Sequence, residues 1–285
     1  MNVNFVDIEQ QTGNGKVTII PIELHWSRRT KSNGFCNDTW KKLLKRIEAD
    51  KSCYVVFVGD MIDDDRPSLR SRKAGIYAEP DRKSALEDED LDHMDKLDAH
   101  LIPDLMRIKD RIIGMVDGDH FRAYGNGTTS TQYIANKLKI PKAYLGERMG
   151  WIRIVFRRKH DACSFDIFVR HGRGGTGAFG NDVNALIRQN QGFMADLYLG
   201  GHTHKQWFIK IPHLYCSRYE IKQRMVGYAR AGSLLRGFLY GQTTYAEIAE
   251  YNPLSIGCPE IQIHTRRVGS SNSGNMFVSD IKGLT

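Results

Sequence analysis

The stretch "RIIGMVDGDHF", Arg111 to Phe121, runs from an apolar segment straight into two acids, a glycine and a histidine. A short apolar run closed by turn residues reads as a buried strand. The polar residues after it read in two ways. Asp117-Gly118 is a favoured hairpin turn, because glycine adopts positive φ at no steric cost, and taken alone the turn is the plainer reading. The other reading places Asp119 and His120 just beyond a strand's carboxyl end, where layered α/β proteins keep their chemistry.

The same pattern recurs along the chain. The apolar runs "VTIIPIE" (17–23), "CYVVFVG" (53–59), "WIRIVF" (151–156), "FDIFVRH" (165–171) and "DLYLGG" (196–201) also read as buried strands. Helical patterns lie between them. Trp40, Leu43, Leu44 and Ile47 share a helical face behind an Asn37/Asp38 cap, and Leu97, Leu101, Leu105 and Ile108 form another helical pattern. Segments 129–139 and 181–190 read as further helices, and 205–265 as more strands. The alternation predicts a layered α/β (α+β) fold. Residues 1–267 are expected to form one domain with a polar insertion at about 64–96, and 268–285, opening on "VGSSNSGN", a flexible C-terminal tail.

Bulk composition narrows the class. No stretch approaches the roughly 18 apolar residues of a membrane helix, and the start lacks a basic-then-apolar leader, so the expectation is a cytoplasmic chain with no membrane partner. The five cysteines, Cys36, Cys53, Cys163, Cys216 and Cys258, are scattered and never in a C-x-x-C pair, which suggests neither a disulfide framework nor a thiolate zinc site. A net charge of +8 favours a polyanionic partner, although it also serves solubility.

Five apolar runs end in a carboxylate, an imidazole or both: Glu23-Leu24-His25, Asp60 with Asp63, Asp119-His120, His171, and His202-Thr203-His204. Each piece alone has an ordinary explanation as a turn, cap or surface residue. Together they form the ligand set of a pair of divalent metal ions. Residues two apart on an extended segment face one way, so Glu23/His25 and His202/His204 can each converge on one centre.

The series ELH, GDMID, GDH, a lone histidine and GHTH, spanning residues 23 to 204, resembles the five-block signature of the calcineurin-like metallophosphoesterase superfamily. The resemblance implies a two-sheet β-sandwich flanked by helices. It also implies one metal ion on Glu23, His25, Asp60 and His204, and a second on bridging Asp60, Asp119, His171 and His202. His120 matches the family's catalytic histidine and Asp63 the acid that orients it. The implied reaction is hydrolysis of a phosphoester by water shared between two divalent ions, Mn²⁺ foremost, with Fe, Zn, Ni or Mg as alternatives.

Two positions depart from the family pattern. Glu23 stands where Asp is usual, and Asp119 where Asn is usual, which adds a negative charge to the cluster; the expectation is tighter metal binding at some cost in Lewis acidity, or a ferric ion at one position. The block after Asp60 lacks the Asp-Arg-Gly of protein serine/threonine phosphatases, and the resemblance lies closer to the nuclease and phosphodiesterase branch. Arg28, Arg29, Arg66, Arg122 and Arg173 lie close behind the blocks and are candidate contacts to a nucleic-acid backbone, DNA foremost. The alternatives are a phosphatase or small-molecule phosphodiesterase, and a non-catalytic basic nucleic-acid-binding protein with a structural metal site.

Overall fold

The computed structural model describes residues 1–10, 14–27, 34–63, 83–174, 179–216, 218–241, 243–248, 252–269 and 274–284. Two six-stranded mixed sheets organise them. The first contains β1 (Val3–Glu9), β6 (Met149–Arg158), β7 (Asp161–Arg170), β8 (Leu197–Gly200), β10 (Ile221–Ala231) and β9 (Gln206–Cys216), in that spatial order. The second runs β12 (Gly274–Leu284), β11 (Glu260–Gly269), β2 (Asn14–Ile22), β3 (Cys53–Phe57), β4 (Ile112–Val116) and β5 (Tyr144–Gly146).

Strands β2 to β5 are parallel, so each needs a crossover, and helices supply it. Helix α1 (Asn37–Ala49) links β2 to β3 and buries Trp40, Leu44 and Ile47. Its N-cap is Cys36, whose side chain makes no capping hydrogen bond and instead meets Thr39 Oγ1 at 3.0 Å, rather than the expected Asn37 or Asp38. Helix α2 (Lys83–Lys96) continues through a π turn at Leu97–Leu101 into α3 (Ile102–Met106). Leu97, Leu101 and Leu105 keep to one face through this turn, and all three are buried. Helix α4 (Ser130–Lys137) is capped by Thr129, whose side chain accepts from the Gln132 backbone N–H, and α5 (Phe179–Gln189) precedes β8.

Between the sheets lies a core to which Val17, Ile19, Val56 and Val58 contribute from one side and Ile152, Ile154, Phe165, Ile167 and Leu199 from the other. A second core packs α1, α3 and α4 on the outer face of the second sheet, and a third packs α5 on the outer face of the first. The chain is thus a helix-flanked two-sheet sandwich, as expected.

The C-terminus departs from expectation. Residues 274–284 are β12, paired antiparallel with β11 along its length, with Met276 and Ile281 buried; the expected flexible tail is one strand of a hairpin. A register shift between His264 and Thr265 breaks the two-residue alternation by which strands are read. Of the predicted polar insertion, 64–82 lie outside the described residues and 83–96 form α2. Among the described residues, no helix is long and apolar enough to cross a membrane.

Candidate metal centre

All five polar blocks emerge from carboxyl ends of strands: Glu23 and His25 after β2, Asp60 after β3, Asp119 and His120 after β4, His171 after β7, and His202 and His204 after β8. Backbone hydrogen bonds tie these loops to one another. His25 N donates to Asp60 O at 2.8 Å, Asp60 N to Asp117 O at 3.0 Å, His171 N to Arg148 O at 2.9 Å, and Gly201 N to His171 O at 3.0 Å. Leu234 N reaches Glu23 O at 3.1 Å, joining the two sheets.

The backbone itself is strained there. Six described non-glycine residues have positive φ, and four of them are His25 (50°), Asp60 (46°), His202 (75°) and His204 (55°). Such conformations cost energy, and they persist where surrounding structure imposes them and the side chain is needed in that direction. Glycines make the remaining room. A Cβ at Gly118, where φ is +89°, would lie 2.3 Å from Asp60 Oδ1, and one at Gly201 would lie 2.4 Å from Glu23 Oε1.

Three overlapping groups of potential ligand atoms result, each within 4.8 Å: Glu23, His25 and His204; Asp119, His171 and His202; and Glu23, Asp60 and His171 between them. Asp60 Oδ2 stands 3.3 Å from His171 Nε2 and 3.9 Å from His25 Nε2, midway across the cluster. His202 and His204 fall in different groups and not on the one centre that their two-residue spacing allowed, because positive φ at both makes the segment turn instead of extending. Glu23 and His25 do share a group.

Most of this cluster is buried, and it is short of partners. Glu23 Oε2, both His25 ring nitrogens and His171 Nε2 are buried without a hydrogen bond. Buried polar atoms normally have partners, and orphans on three residues of the ligand groups fit a site for a bound cation. His171 Nδ1 sits 3.0 Å from the Val58 carbonyl, which can only accept, so Nδ1 carries a proton and Nε2 is the nitrogen that would offer its lone pair to a cation once deprotonated.

Electrostatics fit a site built for positive charge. Burial lifts Glu23 to about 8, against the pull of His171. Burial also raises Asp60, but the imidazoles of His171, His25 and His120 outweigh it and hold that carboxyl well below its usual range. Asp119 is likewise held low against burial by His171, His202 and Arg148. Burial presses His25 down to about 4 and His204 to about 3, keeping both neutral. For His171, burial is overcome by Asp60 and Asp119, and its pKa rises to about 9.

At the rim stands His120, its side chain 48% exposed, with Nδ1 3.2 Å from Asp63 Oδ1. Asp63 lifts its pKa to about 9. An imidazolium at the mouth of a cation cluster, oriented by a carboxylate, can donate a proton to a departing oxygen.

The basic candidates divide. Arg28, Arg29 and Arg66 lie outside the described residues. Arg122 is buried, its Nε donating to Asp90 Oδ1 at 2.8 Å, so it serves the interior rather than the surface; Arg173 is exposed. Two arginines not singled out in the sequence prove closer to the cluster. Arg148 Nη1 lies 2.7 Å from Asp119 Oδ1, and buried Arg230 holds the Gly201 carbonyl and pairs with Asp182 Oδ1 at 3.1 Å. Neither sits behind a strand-end block, so nothing local marked them. Asp117, from the opening stretch, is also structural: its two oxygens accept from Thr129 Oγ1 and Tyr144 OH, each at 2.7 Å.

Fold and site together define a two-sheet α/β sandwich with a carboxylate–imidazole cluster fit for metal ions. No family model matches the chain, and no curated protein matches it. Among solved structures it is similar to Vps29 complexed with zinc from Entamoeba histolytica, at 12% identity over 95% of this chain and 98% of that one, with a TM-score of 0.36. It is also similar to a conserved uncharacterized protein, a predicted phosphoesterase, from Streptococcus pneumoniae, at 12% identity over 95% and 98%, with a TM-score of 0.31. At this level of likeness, function rests on the chain's own residues.

Proposed function

We propose that this chain is a metal-dependent phosphoesterase of the calcineurin-like type, cleaving phosphodiesters, with DNA as the foremost substrate. The observation that carries the reading is the pair of three-residue ligand groups flanking Asp60, with the His120–Asp63 pair at their rim. Glu23, His25 and His204 would hold one ion, Asp119, His171 and His202 the other, and Asp60 would face both. Two divalent cations bound there supply Lewis acidity and an activated water for in-line attack at phosphorus. The chain's own part is to fix that geometry and move a proton. His120 protonates the leaving oxygen, and Asp63 holds its ring. The chain's excess of positive charge supports a polyanionic substrate.

The test compares an aryl phosphodiester, an aryl phosphomonoester and labelled single- and double-stranded DNA, with Mn²⁺ added and His120→Ala alongside. Cleavage of diester and DNA, lost in the variant, is the expected result. Monoester preference would replace the nuclease with a phosphatase, and metal binding without any hydrolysis would leave a structural metal site.

A further inference from the structure

Asp119 presents its two carboxylate oxygens to different neighbours. Oδ2 faces the cluster, 2.9 Å from His202 Nδ1 and 3.4 Å from His171 Nε2. Oδ1 faces away and is held at 2.7 Å by Arg148 Nη1, which also donates to the Gly118 carbonyl at 2.5 Å. Arg148 is itself anchored from the far side, since its backbone carbonyl accepts from His171 N at 2.9 Å. One arginine therefore joins the Asp119 turn, through its guanidinium, to the His171 loop, through its backbone carbonyl.

An asparagine in this place would offer one ligand oxygen and point an N–H₂ group where Oδ1 now lies. Aspartate brings a second oxygen and a full negative charge. Arg148 answers both: it occupies the second oxygen and sets a permanent cation against the charge.

We infer that Arg148 is a positioning residue that converts Asp119 into a one-oxygen, near-neutral ligand, so that the Asp119–Arg148 pair does at the metal centre what a single asparagine would do. The inference rests on the metal-centre reading of the proposed function. It amends the expectation drawn from Asp119 alone, because the added charge does not reach the cluster undiminished.

The two single substitutions should have opposite signs. Arg148→Gln leaves Asp119 with its whole charge and a free second oxygen, so Mn²⁺ binds about 3- to 10-fold more tightly while kcat falls, because a more negative cluster is a weaker Lewis acid. Asp119→Asn leaves the cation without its partner, and Mn²⁺ binds about 10-fold more weakly. The double substitution restores the net charge and returns affinity to within about 3-fold of the parent, a coupling that a double-mutant cycle measures directly.

Mn²⁺ affinity by isothermal titration calorimetry on all four proteins, with aryl phosphodiester kinetics beside it, provides the test. Weaker binding in Arg148→Gln, or no recovery in the double variant, would overturn the inference and reduce Arg148 to a structural brace. Absence of Mn²⁺ binding in the parent would overturn the metal-centre reading instead, so the two failures are distinct. Arg148→Lys, which keeps the charge, serves if Arg148→Gln does not fold: affinity within about 3-fold of the parent is expected, and a loss as large as that of Asp119→Asn would sink the charge argument.

Discussion

Asp60 Oδ1 accepts the backbone N–H of His120 at 2.9 Å and that of Asp119 at 2.6 Å, while its Oδ2 faces His171 and His25. One carboxylate thus shapes the turn after β4 with one oxygen and serves the cluster with the other. Asp60→Asn keeps an acceptor for the two N–H groups but removes the shared charge. A unit charge at 4 Å is worth about 4 kcal/mol at a protein-like dielectric, so Mn²⁺ affinity should fall by at least about 100-fold while the fold survives. Asp60→Ala should also destabilise the metal-free protein by about 1–3 kcal/mol, because two part-buried donors lose their acceptor. Urea denaturation and calorimetric titration of both variants separate the two effects.

Gly118→Ala should damage that same turn from the other side. The new methyl would collide with Asp60 Oδ1 and force a left-handed backbone on alanine. A destabilisation of about 1–3 kcal/mol, with Mn²⁺ binding lost, is expected from that strain. Unchanged binding in a folded variant would show that the turn can relax without moving Asp60.

Proton release should accompany metal binding. In the folded metal-free chain Glu23 keeps its proton up to about pH 8, against an ordinary value of 4.5, so the folded state binds the extra proton and its stability declines as pH rises from 4.5 to 8. His171, raised to about 9 from 6.5, contributes stability that is complete below 6.5 and gone once pH passes 9. His25 and His204 act in the opposite sense, favouring the folded state above 6.5 and losing that contribution as pH falls toward 4 and 3. A bound cation needs Glu23 ionised and His171 neutral, so binding expels both protons. The Mn²⁺-induced rise in Tm should therefore grow between pH 6 and pH 8.5, and titrations in buffers of different ionisation enthalpy should differ. Identical heats in the two buffers would count against the assigned ligands.

His120→Ala should lower phosphodiester turnover by about 10²–10⁴-fold with Mn²⁺ affinity within a few-fold of the parent, as befits a proton donor outside the ligand groups. The donor must be protonated, so activity falls as pH rises through its pKa. Asp63 lifts that pKa, and Asp63→Asn should move the alkaline limb of the pH–rate profile downward. A limb that stays in place would free Asp63 from that role.

The ligand loops were legible in the sequence because strand and loop carry opposite local signals. Runs such as Cys53–Phe57 are apolar at nearly every position, and a carboxylate or imidazole just past the end stands out against them. The splitting of His202 from His204 could not be read from their two-residue spacing, because it depends on backbone dihedrals that cross-loop hydrogen bonds impose; only the family resemblance assigned the two to different ions. Arg148 and Arg230 were hidden for a related reason: their partners are distant in sequence, Asp119 and Asp182, and an arginine carries no local mark of what it will meet. At the C-terminus the serine- and glycine-rich stretch masked a hairpin, since its second strand alternates imperfectly across a register shift.

The ligands come from both sheets, and the Glu23 side chain accepts from the His202 backbone across 179 residues of chain. Such a site cannot exist in a half-made molecule. Contacts of that separation form late, after the entropy of closing long loops has been met, so neither sheet alone offers an ion more than scattered acids and imidazoles. A cation bound there would therefore arrive at a finished protein and would lock the two sheets together at one end. Chelation should leave an intact but loosened sandwich, in contrast to small zinc domains that unravel when their ion is removed.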